Sequence, residues 1–179
     1  KMPDDEIRNI LKKYTGVRKN RRHKPGRAFE NSYYTFDILS DYGSFRDLQR
    51  HRLMTIEWQK MNPELGFNFP DEVKKTPYEN ECKELITKSK ELYEKLEASF
   101  PHLKEYALLF GHNIRYSITM NIRQAFHLIE LRTAKQGHIS YRKVCMKMHD
   151  QIKDIAGHSN FYELMNFTDH EEYELQRLD

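Results

Sequence analysis

Two stretches of the chain alternate hydrophobic and polar residues with a period of two, the pattern of a β-strand with one buried face. They cover residues 32–39 and 114–120, and a shorter apolar stretch at 53–58 could add a third strand. We expect the inward-facing residues of the two longer strands to be Tyr34, Phe36, Ile38, Ile114, Tyr116, Ile118 and Met120.

Elsewhere the apolar residues recur at helical spacing, three or four positions apart. The predicted helices cover residues 3–14, 45–50, 82–100, 121–133, 144–155 and 161–167. The segment 61–78 contains three prolines and a glycine, so it is predicted to be a loop. Few strands and much helix indicate an α/β or α+β fold. The 179 residues are expected to form a single domain, of which residues 1–28 are an amino-terminal helix and a basic arm.

Two of these helices have a predicted buried face. In the long helix over 82–100, the core-facing residues are expected to be Leu85, Leu92, Tyr93, Leu96 and Phe100. In the helix over 121–133, they are expected to be Ile122, Ala125, Phe126 and Ile129.

The composition restricts where such a protein works. No apolar run approaches the roughly 20 residues that span a bilayer, and the amino-terminal segment is a charged helix unlike a signal peptide. Cys82 and Cys145 lie far apart without a partner Cys or His at metal-ligand spacing. We therefore expect two reduced thiols, no metal site, no membrane contact and a cytoplasmic location.

The net charge of +3 is modest but unevenly placed, because six basic residues fall between positions 18 and 27. Such a cluster attracts phosphate, either of RNA or of a nucleotide. A solvated arm, or an interface with an acidic neighbour, explains it equally well. The six residues are Arg18, Lys19, Arg21, Arg22, Lys24 and Arg27.

Two further polar clusters are candidates for chemistry. Arg50-His51-Arg52 follows a short predicted helix, and its guanidinium groups could surround a diphosphate, although a surface charge run is the simpler interpretation. On the helix that begins at Asn121, an arc opposite the apolar face is predicted to contain Arg123, His127 and Glu130. A plain amphipathic helix would show the same pattern.

The last polar cluster, residues 132–142, contains Gln136-Gly137-His138, and a lone histidine there is more often structural than catalytic. The chain has no nucleophile-base arrangement and no glycine-rich phosphate loop. Spacing alone therefore leads only to an α/β domain with cationic pockets.

The order of these clusters resembles one enzyme family. Phe29-Glu30, Tyr34-Thr35-Phe36 and the R-H-R triplet at 50–52 are similar in register to the flavin-dependent thymidylate synthases, which carry an R-H-R-x7-S signature. Asn121-Ile122-Arg123 and Leu131-Arg132 are similar to that family's Asn-x-Arg and Leu-Arg helix. The resemblance spans about residues 29–155.

The resemblance implies a small twisted, mostly antiparallel sheet flanked by long helices. It further implies FAD bound between subunits of a homotetramer, and methylation of dUMP with methylenetetrahydrofolate and NADPH. The FAD contacts would be Arg50, His51, Arg52, Asn121, Arg123, His127 and Gln136. Arg132 would be the catalytic residue that orients and polarises the pyrimidine, with Gln59 and Lys60 also near the substrate.

Several positions depart from the family pattern. Lys60 replaces the signature Ser, Asp47 a Gln, Gln136 a His, and Glu105 the arginine that binds the nucleotide phosphate. A carboxylate facing that dianionic phosphate would repel it. The stretches R-R-H-K-P-G-R-A-F-E and Q-G-H-x-S-Y-R resemble a long variant with two related domains in one chain, in which one domain can supply what the other lacks.

Three hypotheses follow. The first is a thymidylate-synthase-like flavoprotein acting on dUMP or a related pyrimidine nucleotide, as a homotetramer or a two-domain assembly. The second is a catalytically degenerate homologue that binds flavin or nucleotide and serves assembly. RNA binding through the basic stretch is the least favoured.

Overall fold

The computed structural model describes residues 2–74 and 76–173. Their seven α-helices and three strands form an α+β fold with a small antiparallel open sheet of order β1-β3-β2. The predicted fold class is thereby confirmed. No described helix is long and apolar enough to cross a membrane. The strands are β1 (Tyr33–Asp41), β2 (Thr55–Trp58) and β3 (Asn113–Asn121), and the helices are α1 (Asp4–Thr15), α2 (Tyr42–Leu48), α3 (Asp71–Lys74), α4 (Glu79–Ser99), α5 (Ile122–Arg132), α6 (Ile139–Asp154) and α7 (Ser159–Leu164).

The described chain divides into two compact units. Unit 1 contains the described residues of 1–36, 51–55 and 118–179, and unit 2 contains residues 37–50 and the described residues of 56–117. The unit boundaries cross β1 after Phe36 and β3 before Ile118.

The strand predictions hold in detail. Both long strands bury alternate residues, and the seven predicted inward-facing side chains are all buried. In unit 1 the hydroxyls of Thr35 and Thr119 lie 2.8 Å apart on the exposed face. In unit 2 Arg115 donates two hydrogen bonds to Asp37 on that face. The period of two therefore fixed which face of each strand is buried.

Unit 1 has its core where α5 and α6 pack. The four predicted core residues of α5 are at most 4% exposed, and Cys145, Met148 and Ile152 of α6 are equally buried. An aromatic group of Phe29, Phe126 and Phe161 extends this core, with ring centroids 5.2–5.8 Å apart. Asn121 starts α5, because its Oδ1 accepts a hydrogen bond from the amide of Gln124.

Unit 2 packs around the start of α2. Asp41 caps this helix by accepting hydrogen bonds from the amide and hydroxyl of Ser44. Phe45 then lies 4.9 Å from Tyr116, ring centroid to ring centroid, in an edge-to-face contact. The predicted helix at residues 45–50 is therefore confirmed, with α2 beginning and ending earlier than expected.

The predicted buried stripe of α4 is largely wrong. Tyr93 is buried and Leu96 half-buried, but Leu85, Leu92 and Phe100 are about half exposed. The helix instead packs through a narrow stripe in unit 2, where Ser89 donates a hydrogen bond to the carbonyl of Ala107. Because α4 contacts unit 2 along so narrow a stripe, its other apolar residues remain exposed to solvent.

The carboxyl-terminal helices also begin and end differently from the prediction. Helix α6 starts at Ile139, five residues before the predicted start at 144, because the ring of His138 accepts a hydrogen bond from the amide of Ser140. It ends at Asp154, so Ile155, assigned to its apolar pattern, is 77% exposed. Gly157 follows with a positive φ of 69°, which an L-residue adopts at a cost.

Candidate functional site

Unit 1 contains a cavity of about 540 Å³, here called the α5 cavity. It lies at the amino end of α5, where the partial positive charge of the helix favours an anion. The volume is in the ordinary range for small-molecule sites. Its lining includes Lys24, Arg27, Glu30, Tyr33, Arg52, Thr119, Asn121, Arg123, Gln124 and His127.

The charge of the α5 cavity is strongly positive. Four cationic side chains line it, and Glu30 is the only carboxylate among its described lining residues. Arg123 donates to Glu30 at 2.9 Å, and Arg27 does so at 3.2 Å. Hydrogen bonding to Arg27, with a further contribution from Arg123, lowers the pKa of the Glu30 carboxyl. The carboxylate is thus already compensated, and the cavity keeps an excess of positive charge that favours an anion.

Two residues of the triplet, His51 and Arg52, meet the predicted site residues of α5 in unit 1. Arg52, Asn121, Arg123 and His127 line the α5 cavity. The ring of His51 lies 5.8 Å from that of His127, centroid to centroid. The separation of these residues in sequence, about 70 positions, had left open whether they share a surface, and the structure brings them together.

His51 also holds Arg132. The Nε of Arg132 donates to Nε2 of His51 at 2.8 Å, and its guanidinium carbon lies 5.2 Å from the centre of the Tyr141 ring. Because Nε2 accepts this bond, the imidazole is neutral with its proton on Nδ1. Burial, followed by the positive charge of Arg132 and the proximity of His127, lowers the pKa of His51 to about 4. The guanidinium is fixed between an acceptor and an aromatic face.

Protonation of His51 should destabilise the protein, because it removes the acceptor of Arg132 and places a charge beside it. In the unfolded chain the imidazole takes up its proton near pH 6.5, and in the folded protein only near pH 4. The free energy of unfolding should therefore fall as the pH drops through that window, by about 1–2 kcal/mol for this group after allowance for solvent screening. Urea denaturation of the protein and of His51→Gln at pH 7.5 and 4.5 measures this share, and equal pH dependence in the two proteins would refute it.

The remaining predicted residues lie elsewhere. Gln136 is exposed in the turn between α5 and α6. Arg50, Gln59 and Lys60 belong to unit 2, where all three are exposed. None of these four residues is among the described lining residues of the α5 cavity. Their contacts with FAD or with the substrate therefore stay predictions.

One member of the predicted polar arc of α5 has a different role. Glu130 was expected opposite the apolar face with Arg123 and His127, but its side chain is fully buried. Both terminal nitrogens of Arg18 donate to it: Nη1 lies 2.7 Å from Oε1, and Nη2 contacts Oε2. The expectation fails because α5 is buried on nearly all sides, and a buried carboxylate needs a partner.

Two residues of the cavity lining were not among the predicted site residues. Lys24 and Arg27 were noted only as members of the basic stretch, yet both line the α5 cavity. Arg123 binds this stretch directly, because its Nε donates to the carbonyl of Pro25 at 2.9 Å. Their position shortly before Phe29-Glu30, where the family resemblance begins, is the only sequence signal that could have indicated this.

The fold and the site together define an α+β chain with a cationic cavity at the start of a buried helix. The chain belongs to the thymidylate synthase complementing protein family, whose model matches residues 4–157. This confirms the resemblance drawn from the sequence.

The chain is similar to relatives of two kinds. A UPF0159 protein of Chlamydia muridarum is 36% identical over 99% of this chain, and one of Thermoplasma acidophilum is 33% identical over 97%. A flavin-dependent thymidylate synthase of Thermococcus onnurineus is 32% identical over 59% of the chain and 47% of its own length. The chain spans about a third of the length of the UPF0159 relatives.

Proposed function

We propose that this thymidylate-synthase-like domain binds FAD in the α5 cavity and takes part in the reductive methylation of dUMP to dTMP. Methylenetetrahydrofolate and NADPH would be the co-substrates. The observation that carries the proposal is the cationic cavity built by Arg52 and the start of α5, at the positions that match the family's flavin motifs. A cytoplasmic location and a homotetramer or two-domain assembly are part of the same proposal.

The cavity suits the diphosphate of a dinucleotide. Two negative charges would face Lys24, Arg27, Arg52 and Arg123, together with the positive end of the α5 dipole. Arg123 is already held by Pro25 and Glu30, so little conformational entropy would be lost when it meets a phosphate. Bound FAD would supply the hydride-transfer chemistry that no side chain can provide.

The proposed role of Arg132 depends on its fixed orientation. The hydrogen bond to His51 and the Tyr141 ring constrain the guanidinium, so it is preorganised to polarise a pyrimidine carbonyl. His51 would act as a positioning residue, because its neutral ring accepts a hydrogen bond from Arg132 and so orients the guanidinium. No protein nucleophile is needed in this scheme.

Arg52→Ala should weaken FAD binding about 10- to 100-fold, the usual range for one hydrogen bond to a charged group. The side chain is exposed and lines the cavity, so its removal should not disturb the fold. Arg22→Ala is the matched control, since this exposed arginine of the basic arm is absent from the described cavity lining. Titration of flavin fluorescence measures both variants, and equal losses in the two would argue against the α5 cavity.

A second candidate function is a catalytically degenerate homologue that serves assembly. One observation favours it: Glu105, at the position of the family's phosphate-binding arginine, accepts a hydrogen bond from the amide of Met61 at 3.3 Å within unit 2. That carboxylate supports a loop and would repel a nucleotide phosphate.

Release of tritium from C5-labelled dUMP, in the presence of FAD, methylenetetrahydrofolate and NADPH, separates the two candidates. The enzyme hypothesis predicts release that depends on FAD. A protein that binds FAD but releases no tritium would support the assembly role.

A further inference from the structure

A cluster of three potential metal ligands lies in unit 1 and is not part of the α5 cavity lining. His149 and Asp150 are neighbours on α6, and His170 follows α7. His149 Nδ1 lies 2.8 Å from His170 Nε2, which is 3.9 Å from an Asp150 carboxylate oxygen. All three ligand atoms lie within 4.8 Å of one another. The cluster is called the His149–His170 cluster below.

The ring of His149 is fixed in the tautomer that a metal requires. Its Nε2 lies 2.9 Å from the carbonyl of Tyr162, which can only accept, so Nε2 carries a proton. The ring stacks on Tyr162, with centroids 4.0 Å apart and planes 13° from parallel. With Nε2 protonated, the lone pair of the neutral ring is on Nδ1, the atom that faces His170. An imidazole that donates its second N–H to a backbone carbonyl is the usual arrangement of a metal-bound histidine.

The exposure of the three residues allows a cation to enter. His149 is only 3% exposed, whereas the side chains of His170 and Asp150 are 37% and 48% exposed. One ligand is therefore held rigidly in the core while the other two face solvent. A metal-bound imidazole must be neutral, and the hydrogen bond of His149 to the Tyr162 carbonyl meets that requirement.

The spacing suits zinc. Metal–ligand bonds of about 2.0–2.1 Å in tetrahedral geometry separate neighbouring ligand atoms by roughly 3.3 Å. The separations of 2.8 and 3.9 Å lie on either side of that value, and the third, between His149 and Asp150, is at most 4.8 Å, so the two solvent-facing side chains would move to close the geometry around an ion. Two imidazole nitrogens and a carboxylate oxygen are a ligand set that prefers zinc and similar divalent metals over calcium or magnesium.

We propose that His149 Nδ1, His170 Nε2 and the Asp150 carboxylate bind one zinc-class divalent cation, with water in the remaining coordination position. The ion would join α6 to the segment that follows α7, and so stabilise that part of unit 1. No such site was expected from the sequence, because His149 and His170 are 21 residues apart and neither belongs to a short ligand motif. This site is independent of the proposed flavin chemistry.

Titration of the metal-free protein with Zn²⁺, followed by calorimetry, tests the proposal. We expect one ion per chain, with affinity falling at least about tenfold in His170→Ala and in Asp150→Asn. His170 is chosen because its side chain is partly exposed and its loss leaves the core intact. His102→Ala, which removes an exposed histidine of unit 2, should leave the affinity unchanged.

The melting temperature gives a second, independent readout. Zinc should raise the melting temperature of the protein and of His102→Ala, but not of His170→Ala, each compared with its own metal-free form. The zinc affinity should also fall in acid, as protons compete with the ion for its ligand atoms. Absence of stoichiometric zinc binding, or binding that His170→Ala leaves intact, would overturn the site.

Discussion

Glu130→Ala is expected to lower the free energy of unfolding by about 3–5 kcal/mol, the usual loss when one partner of a buried ion pair is removed. The carboxylate is fully buried and the Arg18 side chain is only 3% exposed. Arg18 also lies between the rings of Phe126 and Phe167, 5.3 and 5.2 Å from their centres. The variant would leave this guanidinium in the interior with no carboxylate to neutralise it.

Two comparisons make this prediction specific. Glu163→Ala breaks an ion pair with Arg8 in which both side chains are over 40% exposed, and should cost less than about 1 kcal/mol. Replacing Arg18 and Glu130 together by methionine should recover much of the loss, because no unpaired charge remains. Urea denaturation measures all three variants. A cost for Glu130→Ala no greater than that for Glu163→Ala would show that the buried pair is not formed.

The same variant should also affect the proposed flavin site. Arg18 anchors the basic arm, and Lys24 and Arg27 of that arm line the α5 cavity. Loosening the arm would remove two of the four cations from the cavity. FAD affinity in Glu130→Ala should therefore fall even under conditions in which the variant remains folded.

Arg132→Lys is expected to reduce tritium release from C5-labelled dUMP by about 10²–10³-fold, the usual effect of removing a preorganised donor from a polar transition state. Lysine keeps the charge but lacks the planar fork that His51 and Tyr141 hold in place. The variant should still take up FAD, since Arg132 is not among the described lining residues of the α5 cavity.

Arg115→Lys is the matched control, because the same chemical change is made on the exposed face of β3, where Arg115 pairs with Asp37. Its tritium release should equal that of the unmodified protein. If Arg132→Lys behaves like Arg115→Lys, Arg132 does not polarise the pyrimidine, and the proposed catalytic role would be abandoned.

Short-range patterns predicted the parts of the fold that depend on local geometry. The period of two in residues 32–39 and 114–120 identified the buried faces of β1 and β3. The helix predicted to begin at Asn121 is α5, which Asn121 caps. The prediction of the buried residues of α4 was wrong because burial depends on what a helix packs against. The spacing of apolar residues within the helix carries no information about that. Leu85 and Leu92 have the right spacing, but they lie about half exposed.

The candidate site was only partly predictable for the same reason. The order of the arginine motifs indicated a shared function for the triplet and α5, and the structure places His51 against Arg132. The buried pair of Arg18 and Glu130 links residues 112 positions apart, and no pattern within either segment indicates it. Contacts made by tertiary packing, including those of Lys24 and Arg27, require the folded chain.

The central claim is that the α5 cavity binds a flavin dinucleotide through its diphosphate. Equilibrium binding of FAD and of riboflavin, which has the same ring system without phosphates, tests it most directly when both are measured at low and high salt. We predict that FAD binds much more tightly than riboflavin and that this advantage shrinks as salt screens the cationic cavity. Equal affinity for the two flavins, or no uptake of FAD at all, would contradict the claim.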